Sequence, residues 1–253
     1  MKKAIIISLL CMMLAVCGCA KRENKTEEKS KDSNVIYVSD TSVKPVDNVL
    51  IEKKTSPAME TPDGSISFEK ACELLDTCSI ENVYTGQSLK DYKKYYFGTV
   101  DYKGGKYYSI YPYIEYNGGK VFVGTNCLVS CSGNTVLAKN WMGGYEPVDQ
   151  NTASLDKDWK TRCLDAEISP NEALLKVVDK QKALGLDRDI SAYVFETNLS
   201  LSDINGVPCY LFTPKLEYTD HQDMLGNIYV SADGKGIVFR NSKETMGEYE
   251  EVK

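Results

Sequence analysis

A single histidine, His221, serves the whole chain of 253 residues. Chemistry that leans on paired imidazoles is therefore excluded, and the one ring sits in the polar hairpin loop Thr219-Asp220-His221-Gln222-Asp223, where a solvated residue is expected. No Cys-x-x-Cys pair occurs and His221 has no second histidine, so the sequence offers little support for a zinc site. The Gly-x-Ser-x-Gly elbow, His-Glu-x-x-His, the P-loop and the dinucleotide fingerprint are all missing. Basic clusters are missing too: Lys+Arg number 30 against 36 Asp+Glu, a net charge of −6, which argues against nucleic acid as a partner. Carboxylates are plentiful, but Glu115 and Glu217 fall on the outer faces of their strands and Glu250-Glu251 in a solvated tail. No catalytic residue, cofactor or metal is expected, and an unrecognised hydrolase stands only as a further alternative. What remains is ordinary for a folded protein, 42% apolar and 26% charged residues, with room for one large or two ordinary domains.

The N-terminus has the pattern of a targeting segment. Lys2 and Lys3 precede the apolar run Ala4 to Val16, and Cys17-Gly18-Cys19-Ala20 follows. The run is shorter than the roughly 20 apolar residues a membrane-spanning helix needs, and its charged start and small-residue end are those of a secretory signal. Val16-Cys17-Gly18-Cys19 resembles the bacterial lipobox. The resemblance implies that residues 1–18 are removed as a signal peptide and that Cys19 becomes the new N-terminus. It then carries a thioether-linked diacylglycerol that holds the protein on the extracytoplasmic face of the cell membrane. A plain secreted protein is the competing reading. Cleavage there removes two lysines and no acids, leaving 28 basic against 36 acidic side chains and a net charge of −8. Residues 19–64 are expected to form a lipidated, flexible tether, because Ala20 to Ser33 offers nothing apolar to bury. Val35-Ile36-Tyr37-Val38 and Val49-Leu50-Ile51 interrupt its polarity, and suit equally short strands that dock on the folded part or sticky residues in a loose linker.

The 17 tyrosines are concentrated in strand-like sequence. Tyr107 to Tyr116 and Cys209 to Tyr218 are two versions of one strand, with a proline at the same place and the same terminal Glu-Tyr. Residues two apart share a face, so Tyr108, Ile110, Pro112, Ile114 and Tyr116 form one core side and Tyr210, Phe212, Pro214, Leu216 and Tyr218 the other. The match extends at a constant offset of 102 residues from Ile66-Ser67 and Ile168-Ser169 through Glu115-Tyr116 and Glu217-Tyr218. It continues at 101 through Asn126 and Asn227 to Asn140 and Asn241. Each copy opens with a helix. Ser169, Pro170 and Glu172 make a capping box with proline in the first turn, and Ser67 caps the other. Strands are expected near residues 95–102, 106–116, 120–130 and 135–140, then 190–201, 207–218, 226–231 and 236–240, with Gly-Gly, Gly-Asn and Asp-Gly turns as hairpin signals.

The reading is an α+β fold of two tandem repeats, residues 65–150 and 151–253, each one helix packed on a four-stranded antiparallel sheet. The helix opening Ile168-Ser169-Pro170-Asn171-Glu172-Ala173 and the hairpin Ile228 to Val238, with its counterpart Cys127 to Leu137, resemble the PepSY modules and the wider cystatin-like architecture. That resemblance implies a role in restraining or regulating an extracellular peptidase or signalling protein.

Beyond Cys19 and the signal, six cysteines remain: Cys72, Cys78, Cys127, Cys131, Cys163 and Cys209. An even number in an extracytoplasmic protein invites disulfides. Against that, Cys72, Cys127, Cys131 and Cys209 stand where the other copy has Leu174, Ile228, Ala232 and Tyr107, and read as small hydrophobes.

The outer faces of the two long strands differ. One carries Tyr107, Ser109, Tyr111, Tyr113 and Glu115; the other carries Cys209, Leu211, Thr213, Lys215 and Glu217. Tyr107, Tyr111, Tyr113 and Glu115 are the candidate ligand surface, a row of flat apolar rings with polar tips that suits peptides and sugars alike. Tyr95, Tyr96 and Tyr102 on the neighbouring strand extend it. Tyrosine also simply fits strands, and a packed face is the competing reading. The expected function is binding of a protein or peptide partner at the cell envelope, with glycan binding by the same tyrosines as the alternative.

Overall fold

Alternation and helical spacing build the core from two long strands and two helices. The computed structural model describes residues 50–53, 55–78, 89–140, 143–148, 159–197, 200–218, 221–242, 245 and 247–253. These lie in one compact unit, Lys44–Lys253. In chain order the elements are α1 (Phe68–Asp76), β1 (Lys93–Tyr102), β2 (Gly105–Tyr116), β3 (Gly119–Val123), β4 (Cys127–Ser130), β5 (Val136–Lys139), β6 (Tyr145–Pro147) and α2 (Trp159–Arg162). There follow α3 (Pro170–Asp179), β7 (Tyr193–Thr197), β8 (Ser202–Ile204), β9 (Val207–Glu217), β10 (Gln222–Met224), β11 (Ile228–Ser231), β12 (Val238–Asn241) and β13 (Tyr249–Glu251).

The core side of β2 and β9 presents Tyr108, Ile110, Tyr210 and Phe212, all fully buried. Against it α1 sets Phe68, Ala71 and Leu75, and α3 sets Ala173, Leu174 and Val177. Both helices start at a serine. The Ser67 side chain accepts from Lys70 N, and Ser169 with Glu172 completes a reciprocal capping box. Each start is also fastened to the sheet in the same way. Tyr108 donates its hydroxyl to Ile66 O at 2.6 Å, and Tyr210 donates to Ile168 O at 2.9 Å. Two buried phenols thus satisfy the backbone carbonyls of the residues just before the helix caps.

The expected pair of four-stranded antiparallel, cystatin-like sheets is overturned. The chain forms one β-rich sheet of thirteen strands, in the order β13-β12-β11-β9-β7-β3-β2-β4-β5-β6, with β1 also on β2 and β8 and β10 also on β9. The sheet is mixed because β3 and β7 pair in parallel, Phe122 opposite Val194 and Val123 opposite Phe195. Hairpins around β2 and β9 leave β3 and β7 each with an open edge. Both edges carry apolar runs, and pairing them satisfies their backbone groups while burying Phe122, Val123, Val194 and Phe195. Strand bounds change for local reasons. The single strand expected over residues 120–130 is two, β3 and β4, divided at Gly124, whose φ of +80° bends the chain out of the pleat. The strand expected over residues 190–201 is a 3-10 turn, Ile190–Ala192, followed by β7.

The expected signal segment, Cys19 and the expected tether up to Val49 lie outside the described residues. Directly after Val49 the chain docks on the sheet. Leu50 bridges Tyr218, and Ile51 N donates to Glu217 O at 2.8 Å. Among the described residues no helix is long and apolar enough to cross a membrane. Cys72, Cys78, Cys127, Cys131, Cys163 and Cys209 are all free thiols, five of them buried and Cys72 half-buried. Burial pushes the Cys78 thiol up to about 11, and those of Cys72 and Cys209 to about 12, so they are poor nucleophiles.

Candidate binding face

The alternation of β2 places Tyr107, Tyr111, Tyr113 and Glu115 on one side, but their surroundings differ. Tyr107 is half-buried, with its ring edge-on to Tyr102. Tyr113 is half-buried and tilted against Phe122, the centroids 5.9 Å apart. Glu115 is exposed and paired with Lys93. Tyr111 is only 3% exposed. The four residues are therefore not one open row. Of the tyrosines expected to extend it, Tyr95 shares the outer face, whereas Tyr96 points into the helix-side core against Phe68. Tyr102 sits at the far end, between Tyr107 and Tyr145.

What covers Tyr111 is a buried group of charges. Lys53, fully buried, places Nζ 4.7 Å from the centre of the Tyr111 ring and 5.6 Å from that of Phe122. The same ammonium lies 3.2 Å from Glu217 Oε2, an ion pair whose angles fall short of a directed hydrogen bond. Lys139 from β5 donates to Glu217 Oε1 at 3.3 Å, and the Tyr111 hydroxyl lies beside the same carboxylate. Side chains from β2, β5, β9 and the docked stretch Leu50–Lys53 thus meet on the outer face. The energetics follow from burial. Desolvation alone would raise the Glu217 carboxyl, yet Lys53, Lys139 and the Tyr111 hydroxyl outweigh it and hold the group below the usual carboxylate range. Burial drives the Lys53 ammonium down, with Glu217 opposing in part. Burial, and then the Glu217 charge, push Tyr111 well above the usual phenol range.

Beside this charged centre lies an aromatic floor of Tyr95, Tyr111, Phe122 and Val194, with Phe97 and Tyr113 packed on it and half-buried. Phe97 meets Tyr111 edge-on at 5.5 Å, and Tyr95 meets Phe122 edge-on at 5.3 Å. The rim is charged: the Lys93–Glu115 pair on one side, and Lys120 with Nζ 5.8 Å from the Tyr95 ring. Phe97 was readable from the alternation Tyr95-Phe97-Thr99, although a bulge between Tyr96 and Gly98 disturbs that count. Lys53 and Lys139 carried no local signal, because their partner lies on a strand remote in sequence. The apolar outer residues Cys209 and Leu211 are covered by Ile204, Tyr229 and Phe239 from neighbouring strands.

Among the described residues no group of three His, Cys, Asp or Glu side chains is placed to hold a metal ion. His221 stacks on Tyr218, centroids 4.5 Å apart, and stands 3.6 Å from Asp223. A cavity of about 210 Å³ lies between Leu50, Glu52 and Lys53 and the turn carrying Arg188, Asp189 and Ser191. Compared with known protein families, curated proteins and solved structures, the chain matches none.

Proposed function

We propose that this chain is a non-catalytic, lipid-anchored protein of the extracytoplasmic membrane surface that binds a protein or peptide partner through the Phe97–Tyr113 face. One observation carries the reading. Two large aromatic side chains, Phe97 and Tyr113, stay only half-buried on a floor whose own rings are buried and locked edge-to-face, with a charged rim around them. Rigid aromatic anchors with a polar surround are what interface hot spots are made of. The anchoring half of the proposal rests on the lipobox-like Val16-Cys17-Gly18-Cys19. Sugars also stack on such rings, which makes glycan binding the second reading.

The test uses a soluble chain starting at Ala20 as bait on solubilised envelope, beside a Phe97→Ala/Tyr113→Ala version matched by near-ultraviolet circular dichroism. A captured protein is then purified and titrated against both. Loss of two anchors is expected to weaken binding at least tenfold, about 1.4 kcal/mol or more. Equal affinity for both versions contradicts the proposal, and displacement of the partner by soluble saccharides replaces it with the glycan reading.

A further inference from the structure

The two hairpins that flank the long strands stand in matching registers but have different fates. Tyr113 opposes Phe122 in β2·β3, and Lys215 opposes Met224 in β9·β10. Tyr113 and Lys215 each follow the proline of their strand, Pro112 and Pro214. Met224 therefore corresponds to Phe122, Leu225 to Val123 and Gly226 to Gly124. The two glycines even share a left-handed backbone, φ +80° at Gly124 and +93° at Gly226. In the first hairpin this edge is occupied. β7 lies along it, Phe122 and Val123 are fully buried, and Gly124 N donates to Phe195 O at 2.8 Å. In the second hairpin Met224 is 61% exposed, Leu225 42%, and Asp223 and Gly226 are exposed as well. The Leu225 amide donates to Pro214 O at 3.0 Å, so the segment is held against β9 one residue beyond β10 with its apolar side chains turned out to water.

We propose that the Met224–Gly226 edge accepts a parallel strand from an extended segment of another protein, in the way β3 accepts β7 within the chain. Strand addition draws affinity from backbone hydrogen bonds and specificity from alternate side chains. The β3·β7 pair defines the fit. Phe122 and Val194 lie together on the outer face, Val123 and Phe195 in the helix-side core. The partner must therefore carry two consecutive apolar residues, one for each face, and a carbonyl placed to accept from Gly226 N. A second copy of this chain is a poor occupant. Its strand corresponding to β7 is β1, which opposes β2 with Lys93 at Tyr113 and Lys94 at Pro112, where β7 opposes β9 with Val194 at Lys215 and Phe195 at Pro214. Lysines on an edge oppose strand addition. Lys94 is further engaged by Asp76 and by the carbonyls of Leu89 and Tyr92, at 2.6 Å and 2.9 Å. Head-to-tail growth into a filament, the outcome of repeating one heterologous contact, is thereby discouraged. This proposal is independent of the Phe97–Tyr113 face.

The probe is a fluorescein-labelled peptide copying Ile190 to Thr197, titrated by anisotropy into the soluble chain from Ala20, with amide shifts followed by NMR. Saturable binding is expected, with shifts centred on Met224–Gly226 and affinity reduced at least tenfold by Met224→Lys or Leu225→Lys, both at exposed positions. A peptide with lysines in place of its Val-Phe pair should bind correspondingly worse. Absence of saturation at about 1 mM peptide, shifts confined to β3, or equal binding by the lysine variants overturns the proposal. So does a concentration-dependent dimer that Met224→Lys abolishes, because the occupant is then a second copy.

Discussion

Glu217→Gln is expected to destabilise the fold by about 3–5 kcal/mol, because it leaves the fully buried Lys53 ammonium without its counter-charge. The substitution keeps the shape and removes only the charge that Lys53, Lys139 and Tyr111 share. Unpairing, not the loss of an ion pair as such, is the cause. The double variant Lys53→Met/Glu217→Gln should consequently recover much of the loss. Urea unfolding of the soluble chain at neutral pH measures both. A loss below about 1 kcal/mol for the single variant, the range of a surface pair, would sink this view of the outer face. A pH dependence follows with a definite sign. The folded Glu217 carboxyl is held below its unfolded value, so its contribution is complete above the ordinary carboxylate range. It fades as pH falls through the folded value, the unfolded chain taking up the proton first. Wild type should lose that increment on acidification, and Glu217→Gln should lack it.

Phe122→Ala is the second large effect, expected at about 3–5 kcal/mol for a buried ring removed from a packed site. Phe122 touches the rings of Tyr95, Tyr111 and Tyr113, lies under the Lys53 ammonium and sits on the strand that joins the two halves of the sheet. Its loss removes the support of Tyr113 as well as the seal over β7. The tyrosine near-ultraviolet signal should drop together with the unfolding midpoint. Tyr107→Ala, at the loosely covered end of the same strand, supplies the contrast and should cost markedly less. Equal, small losses at both positions would mean that the aromatic floor is not a packed unit.

Much of the helix side was legible from local chemistry. Period-two alternation found Tyr108, Ile110, Tyr210 and Phe212, and the caps Ser67 and Ser169 mark where the two helices begin. The sheet as a whole was not legible, because turn signals report pairings between sequence neighbours. The parallel β3·β7 contact has no turn to announce it. Nor does alternation separate outward from exposed. Tyr111 faces outward as expected, yet Lys53 and Lys139 arrive from distant segments and bury it. Charge is what hid them, since a lysine in a polar stretch reads as solvated. Met224 and Leu225 were hidden for the opposite reason. Their importance lies in comparison with Phe122 and Val123, and the ladder register makes that comparison visible.

Amide hydrogen exchange at Gly124 and Gly226, compared within one sample, tests the single sheet and its open edge together. The expected result is a protected Gly124, held by the Phe195 carbonyl across β3·β7, beside a Gly226 that exchanges near the rate of an exposed amide. Fast exchange at both would mean that the halves do not share one sheet. Protection at both would mean that the β10 edge is already filled.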